Sequence, residues 1–78
     1  MKQQLSVEIR RFKKNREDHG HTQQSFAALL GIKGSTADIE RGKTKITGSV
    51  VMELLQQFSI NPLWLYGKSH EMNLSLDQ

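Results

Sequence analysis

The sequence predicts an all-α domain of five helices, and three observations carry that prediction. Apolar residues recur at helical spacing in successive stretches, each stretch is bounded by a capping residue or a glycine, and no segment alternates convincingly as a strand would. The chain has 78 residues, room for one domain with a modest core, and no cysteine, so packing alone must hold the interior together.

The first helix is expected over residues 4–19. Leu5, Ile9, Phe12 and the stem of Arg16 fall on one face of it, while Arg10, Arg11, Lys13, Lys14 and Glu17 project elsewhere. Gly20 stops it, and Thr22 is a good N-cap for a second helix over residues 23–30 with Phe26, Ala27, Leu29 and Leu30 as its buried stripe. Gly31 closes that helix. After Ile32-Lys33-Gly34, the string Ser35-Thr36-Ala37-Asp38 has the capping-box form and starts a short third helix that ends near Arg41, with Gly42 just past it. Residues 43–48 lack helical period and read as a loop. From Ser49 onward, Val51, Leu54, Leu55 and Phe58 lie at i, i+3, i+4 and i+7, which makes the fourth helix. Asn61-Pro62 pairs an N-cap with the helical position that tolerates proline best, and opens a last helix through Leu63, Trp64, Leu65 and Tyr66 to a stop at Gly67. Residues 68–78 show no sustained pattern and read as a flexible tail or linker, so the domain is expected to span residues 4–67.

The charge is unevenly distributed. Eleven Lys and Arg against eight Asp and Glu leave a net charge of only +3, but residues 1–46 hold ten basic and five acidic side chains while residues 47–78 hold one and three. The basic end is the candidate polyanion-facing surface. The run Arg10, Arg11, Lys13, Lys14 reads first as a solvated helix face, with a minor phosphate role at most. No stretch has the length or apolarity of a signal peptide or membrane span, and a soluble cytoplasmic protein is expected.

Enzymatic chemistry finds no foothold. His19, His21 and His70 do not share the i, i+4 spacing of a helical metal pair and have no thiolate partner, so no metal or other cofactor is expected and the histidines read as solvent-exposed. Ser25, Ser35 and Asp38 lack any nucleophile setting and serve better as caps. No small-molecule substrate is evident.

Two short helices joined by a few residues, with small Ala27 on the first and Gly31 at the junction, fit a helix-turn-helix; on those residues alone they also fit a plain helical hairpin. In a helix-turn-helix the second helix enters the major groove of double-stranded DNA and its N-terminal side chains meet base edges. That role falls to the segment 33–41, through Lys33, Ser35, Thr36 and Asp38. The start of the preceding helix suits a phosphate, with Gln23 adding a side-chain bond, and Arg41, Lys43 and Lys45 would hold the flanking backbone.

Thr22-Gln23-Gln24-Ser25-Phe26-Ala27, then Leu30-Gly31-Ile32, then Ile39-Glu40-Arg41-Gly42-Lys43, and finally Asn61-Pro62-Leu63-Trp64-Leu65 arrive in order, and together they resemble the Cro and phage-repressor class of helix-turn-helix proteins, the XRE family. The resemblance spans residues 6–67. It implies a five-helix lambda-repressor-like domain, a transcriptional regulator that binds DNA sequence-specifically, and an Arg16 to Glu40 ion pair tying the first helix to the end of the reading helix. It also implies a homodimer, since the family often pairs through its last helices, here at Leu63, Trp64 and Tyr66. One departure matters: six residues separate Gly31-Ile32 from Ile39-Glu40 where the usual pattern has seven. Gly34 is the easiest place to absorb the loss. If the turn is shortened, Thr36 rotates toward the core; if the helix is shortened, Ala37 stays buried and Thr36 faces DNA. A second function fits the same fold, an antitoxin-like or adaptor module that holds a protein partner through an exposed apolar patch including Trp64.

Overall fold

The computed structural model describes residues 5–74, which form five helices in chain order: α1 (Val7–Asp18), α2 (Gln23–Leu30), α3 (Ala37–Glu40), α4 (Gly48–Phe58) and α5 (Pro62–Leu65). Ser6, in extended conformation, precedes α1, so the helix begins later than the periodicity suggests. Leu5 lies outside it and is exposed, and the expected start at Gln4 lies outside the described residues. The inward face of α1 carries Phe12 and Asn15, both buried, flanked by Ile9 and Arg16. Phe12 meets Phe26 of α2 edge-on, 5.3 Å between ring centres, the arrangement in which a positive ring edge faces a negative ring face.

Helix α2 has the expected bounds. Thr22 Oγ1 accepts from the Ser25 amide and Ser25 Oγ accepts from the Thr22 amide, both at 3.0 Å, a reciprocal capping box. The box expected at Ser35 and Asp38 does not form. Ser35 Oγ accepts instead from the Ala37 amide at 3.2 Å, and the Asp38 carboxylate turns to Arg41. Leu29 is also misplaced in the expected stripe, being 40% exposed. At ~100° per residue, Phe26, Ala27 and Leu30 share an arc from which Leu29 is turned by roughly 110°. A similar one-residue ambiguity affects α4. Val50 and Leu54 are buried, whereas Val51, Leu55 and Phe58 flank them half-buried, because adjacent pairs of apolar residues fit two phases equally well.

The core unites all five helices: Phe12, Phe26, Leu30, Ile39, Val50, Leu54, Ile60, Trp64 and Leu65 are buried together. Helix α1 packs against α3 and α5, and α2 packs against α4. Asn61 caps α5 through its side chain, which accepts from the Leu63 amide at 3.0 Å.

Part of the expected tail is structured. Asn73 bridges Ile60 in antiparallel fashion, with the Asn61 amide donating to the Met72 carbonyl and the Leu74 amide to the Ser59 carbonyl, both at 2.8 Å. The Asn61 Nδ2 group donates to the Glu71 carbonyl at 2.9 Å. Residues up to Leu74 therefore fold back on the α4 to α5 junction, where buried Asn61 needs partners. The rest of the expected tail lies outside the described residues.

Candidate nucleic-acid interface

The turn between α2 and α3 sets the geometry of the site. Gly31 ends α2 at φ +75°, and Gly34 takes φ +84°, a left-handed conformation that a side-chain-bearing residue adopts only at a cost. With the chain folded that tightly, Thr36 enters the interior at 0% exposure, while Ala37 is half-buried. Of the two arrangements compatible with the missing residue, the shortened turn is the one observed. Thr36 is therefore withdrawn from the expected base-contacting set, since no part of it reaches the surface.

Its hydroxyl joins a network centred on Glu40, a carboxylate only 6% exposed. Glu40 Oε2 accepts from Arg16 Nε at 2.7 Å and from Thr36 Oγ1 at 2.8 Å. Glu40 Oε1 accepts from Arg16 Nη2 at 3.0 Å and from Gln23 Nε2 at 3.1 Å. The Arg16 guanidinium is steadied further by donating from Nη1 to the His21 carbonyl at 2.8 Å. Burial by itself pushes the Glu40 carboxyl up, but the bonds from Arg16, Thr36 and Gln23, with the Arg16 charge, outweigh it and hold the group below its ordinary range. The bond to Glu40 raises the Arg16 pKa in turn, against the cost of desolvation. Three helices thus converge on one ion. The Thr36 amide adds a backbone link to the Gln23 carbonyl at 3.2 Å.

Outside this hub, four of the expected residues share one surface. Lys33, Ser35, Asp38 and Lys45 line an open groove of about 420 Å³ that continues to Thr47 and Ser49 at the start of α4. Lys33, Arg41, Lys43 and Lys45 are exposed. The Asp38 carbonyl accepts from the Lys43 and Thr44 amides at 2.8 and 3.3 Å, folding the basic loop back beside α3. Arg41 Nη2 donates to Asp38 Oδ1 at 2.5 Å, so that carboxylate oxygen is already engaged. Gln23 is likewise engaged on its inner side, by Glu40, rather than projecting freely.

Two members of the basic run on α1 are engaged within the domain. Arg11 lies over the Trp64 ring, 4.7 Å from its centre, and donates to the Trp64 carbonyl; Lys14 pairs with Asp18 at 3.3 Å. Trp64 is consequently 8% exposed, which removes it from the expected dimer contact, while Leu63 and Tyr66 remain at the surface. His19 is exposed as expected, though its ring rests against Phe58 at 4.6 Å; His21 is half-buried, with Nδ1 3.1 Å from Ser25 Oγ.

The sequence allowed Thr36 to turn inward but did not reveal that Thr36 and Gln23 both bond to Glu40. The i, i+4 spacing of Thr36 and Glu40 was a readable signal on a helix; nothing local connects Gln23 to Glu40.

Two short helices joined at a glycine turn, with the second carried on a buried ion pair and rimmed by lysines, define a lambda-repressor-like helix-turn-helix domain. A profile of the helix-turn-helix family matches residues 12–65, and the chain belongs to that family, in the XRE class of Cro and phage repressors, a class that binds DNA. No curated protein and no solved structure matches the chain.

Proposed function

We propose that this chain is a repressor-like transcriptional regulator that reads a short duplex DNA site through the segment 33–41. The observation that carries the reading is the convergence of Lys33, Ser35 and Lys45 on one groove beside a helix tied to α1 and α2 through Glu40. Lys33 and Ser35 would meet base edges, with Arg41 braced by Asp38 beside them. Arg41, Lys43, Lys45 and the outer side of Gln23 would hold phosphates. The protein would act as a homodimer on an inverted repeat through exposed Leu63 and Tyr66, because one domain makes few base contacts. The alternative, a protein-interaction module presenting Trp64, loses its main support because that ring is buried beneath Arg11.

Selection of bound sequences from a random duplex pool, followed by titration at several salt concentrations, tests the proposal. It should yield a preferred site and a steep salt dependence. Absence of duplex binding even at low salt refutes it. Sedimentation of wild type and Leu63→Glu tests the dimer: the substitution should shift the protein toward monomer.

A further inference from the structure

The reading helix is too short to hold its own shape. Helix α3 has four residues and two i to i−4 amide bonds, Glu40 to the Thr36 carbonyl and Arg41 to the Ala37 carbonyl, both at 3.0 Å. One helical turn is not stable alone, so its orientation rests on what ties it to the rest of the domain. Ile39 provides a non-directional tie by entering the core. The directional ties come from two residues, Glu40 at its end and Thr36 at its start.

Thr36 makes two of these ties at once. Its amide donates to the carbonyl of Gln23 on α2, and its hydroxyl donates to the Glu40 carboxylate one turn further along. It therefore spans α3 from end to end while anchoring the start of that helix to α2. A hydroxyl buried at 0% exposure has no route to a base edge.

We propose that Thr36 is a positioning residue for DNA recognition, setting the angle at which Lys33, Ser35 and Arg41 are presented without touching DNA itself. The inference rests on the DNA-binding reading above. It makes a distinction that a direct contact would not. Phosphate attraction tolerates small rotations of the protein, whereas hydrogen bonds to base edges do not. Loosening α3 should therefore lower discrimination between sites while leaving the charge-driven component in place.

The test compares Thr36→Val, which keeps the shape and the backbone bond but removes the donor, with Thr36→Ser, which keeps the donor. Both are measured against the selected site and against random duplex at matched salt. T36V should lower the ratio of the two affinities about tenfold, the effect of one hydrogen bond to a charged group, with the salt slope unchanged. T36S should stay within about twofold of wild type. Should T36V fail to fold, Thr36→Cys, with a weaker donor, should give an intermediate ratio.

An unchanged ratio in T36V, or in T36C where that variant stands in, overturns the positioning role. So does equal damage in T36S and T36V, or a changed preference at a single base position, which would mean direct contact. Wild-type protein that selects no site overturns the DNA-binding reading and this inference with it; wild type that selects a site while T36V loses nothing overturns the Thr36 role alone.

Discussion

A Glu40→Gln substitution keeps the side chain's shape, removes its charge, and sets an amide NH₂ where a carboxylate oxygen had accepted two donors. Of the four hydrogen bonds that reach Glu40, the two on that oxygen would be lost as they stand: an Arg16 N–H would face a donor, and the Thr36 hydroxyl or the Gln23 amide would have to reverse to accept. At about 1.5–3 kcal/mol for each bond to a charged group, the gross loss is about 3–6 kcal/mol. The Arg16 side chain keeps 12% of its surface exposed and can turn partly toward water, which favours the lower end, about 3 kcal/mol. In a domain of this size that lowers Tm by roughly 12–24 °C. Urea unfolding followed by circular dichroism at pH 7 should show the lost stability with an unchanged m-value. The pH dependence gives a second check. The folded-state pKa of Glu40 lies below its ordinary value of 4.5, so the stabilisation is fully present above that value and is lost as pH falls through the folded pKa. The gap between wild type and E40Q should accordingly be widest near neutrality and shrink below about pH 4.5. A gap under about 0.5 kcal/mol at pH 7, within the range of ordinary surface substitutions, would refute the reasoning, as would one that stays constant into the acid transition.

Four further outcomes follow from the same geometry. Deleting residues 68–78 removes the partners of the Asn61 amide, the Asn61 side chain and the Ser59 carbonyl, and should cost about 1–3 kcal/mol in urea unfolding; no loss would mean the segment is a tail in solution. Gly34→Ala meets no neighbouring atom but must hold φ +84°, so it should destabilise by about 1–2 kcal/mol and reduce site selectivity in the same titrations. Lys45→Ala should lower the slope of log affinity against log salt by about 0.9, the release of one phosphate contact, uniformly across sequences, whereas Lys33→Ala should change the preferred base at one position.

Local chemistry made most of the fold legible. Thr22, Gly31 and Asn61-Pro62 cap or stop helices by bonds made within a few residues, and the helix ends fall beside them. Errors arose where neighbouring residues offer the same chemistry. Val50 and Val51 are equally apolar, as are Leu29 and Leu30, and periodicity over so short a helix cannot rank one phase above the other. The return of residues 69–74 left no sequence trace because its pairing with Ser59, Ile60 and Asn61 runs largely through backbone groups, which every residue possesses.

The site divides along a similar line, and Thr36 shows why. In sequence it stands where the reading helix begins, and a small hydroxyl there fits a base contact and a buried donor equally well. What decides between them is the length of the turn, because removing one residue there changes the rotational phase of the segment that follows. That rotation carries Thr36 inward, beside a carboxylate that burial alone would penalise and that needs donors on both oxygens. Arg16 supplies one donor to each oxygen, and Thr36 and Gln23 supply the second. The shortened turn and the saturated carboxylate therefore belong to one solution: the residue that the shorter turn takes from the reading surface goes to fixing the angle of that surface.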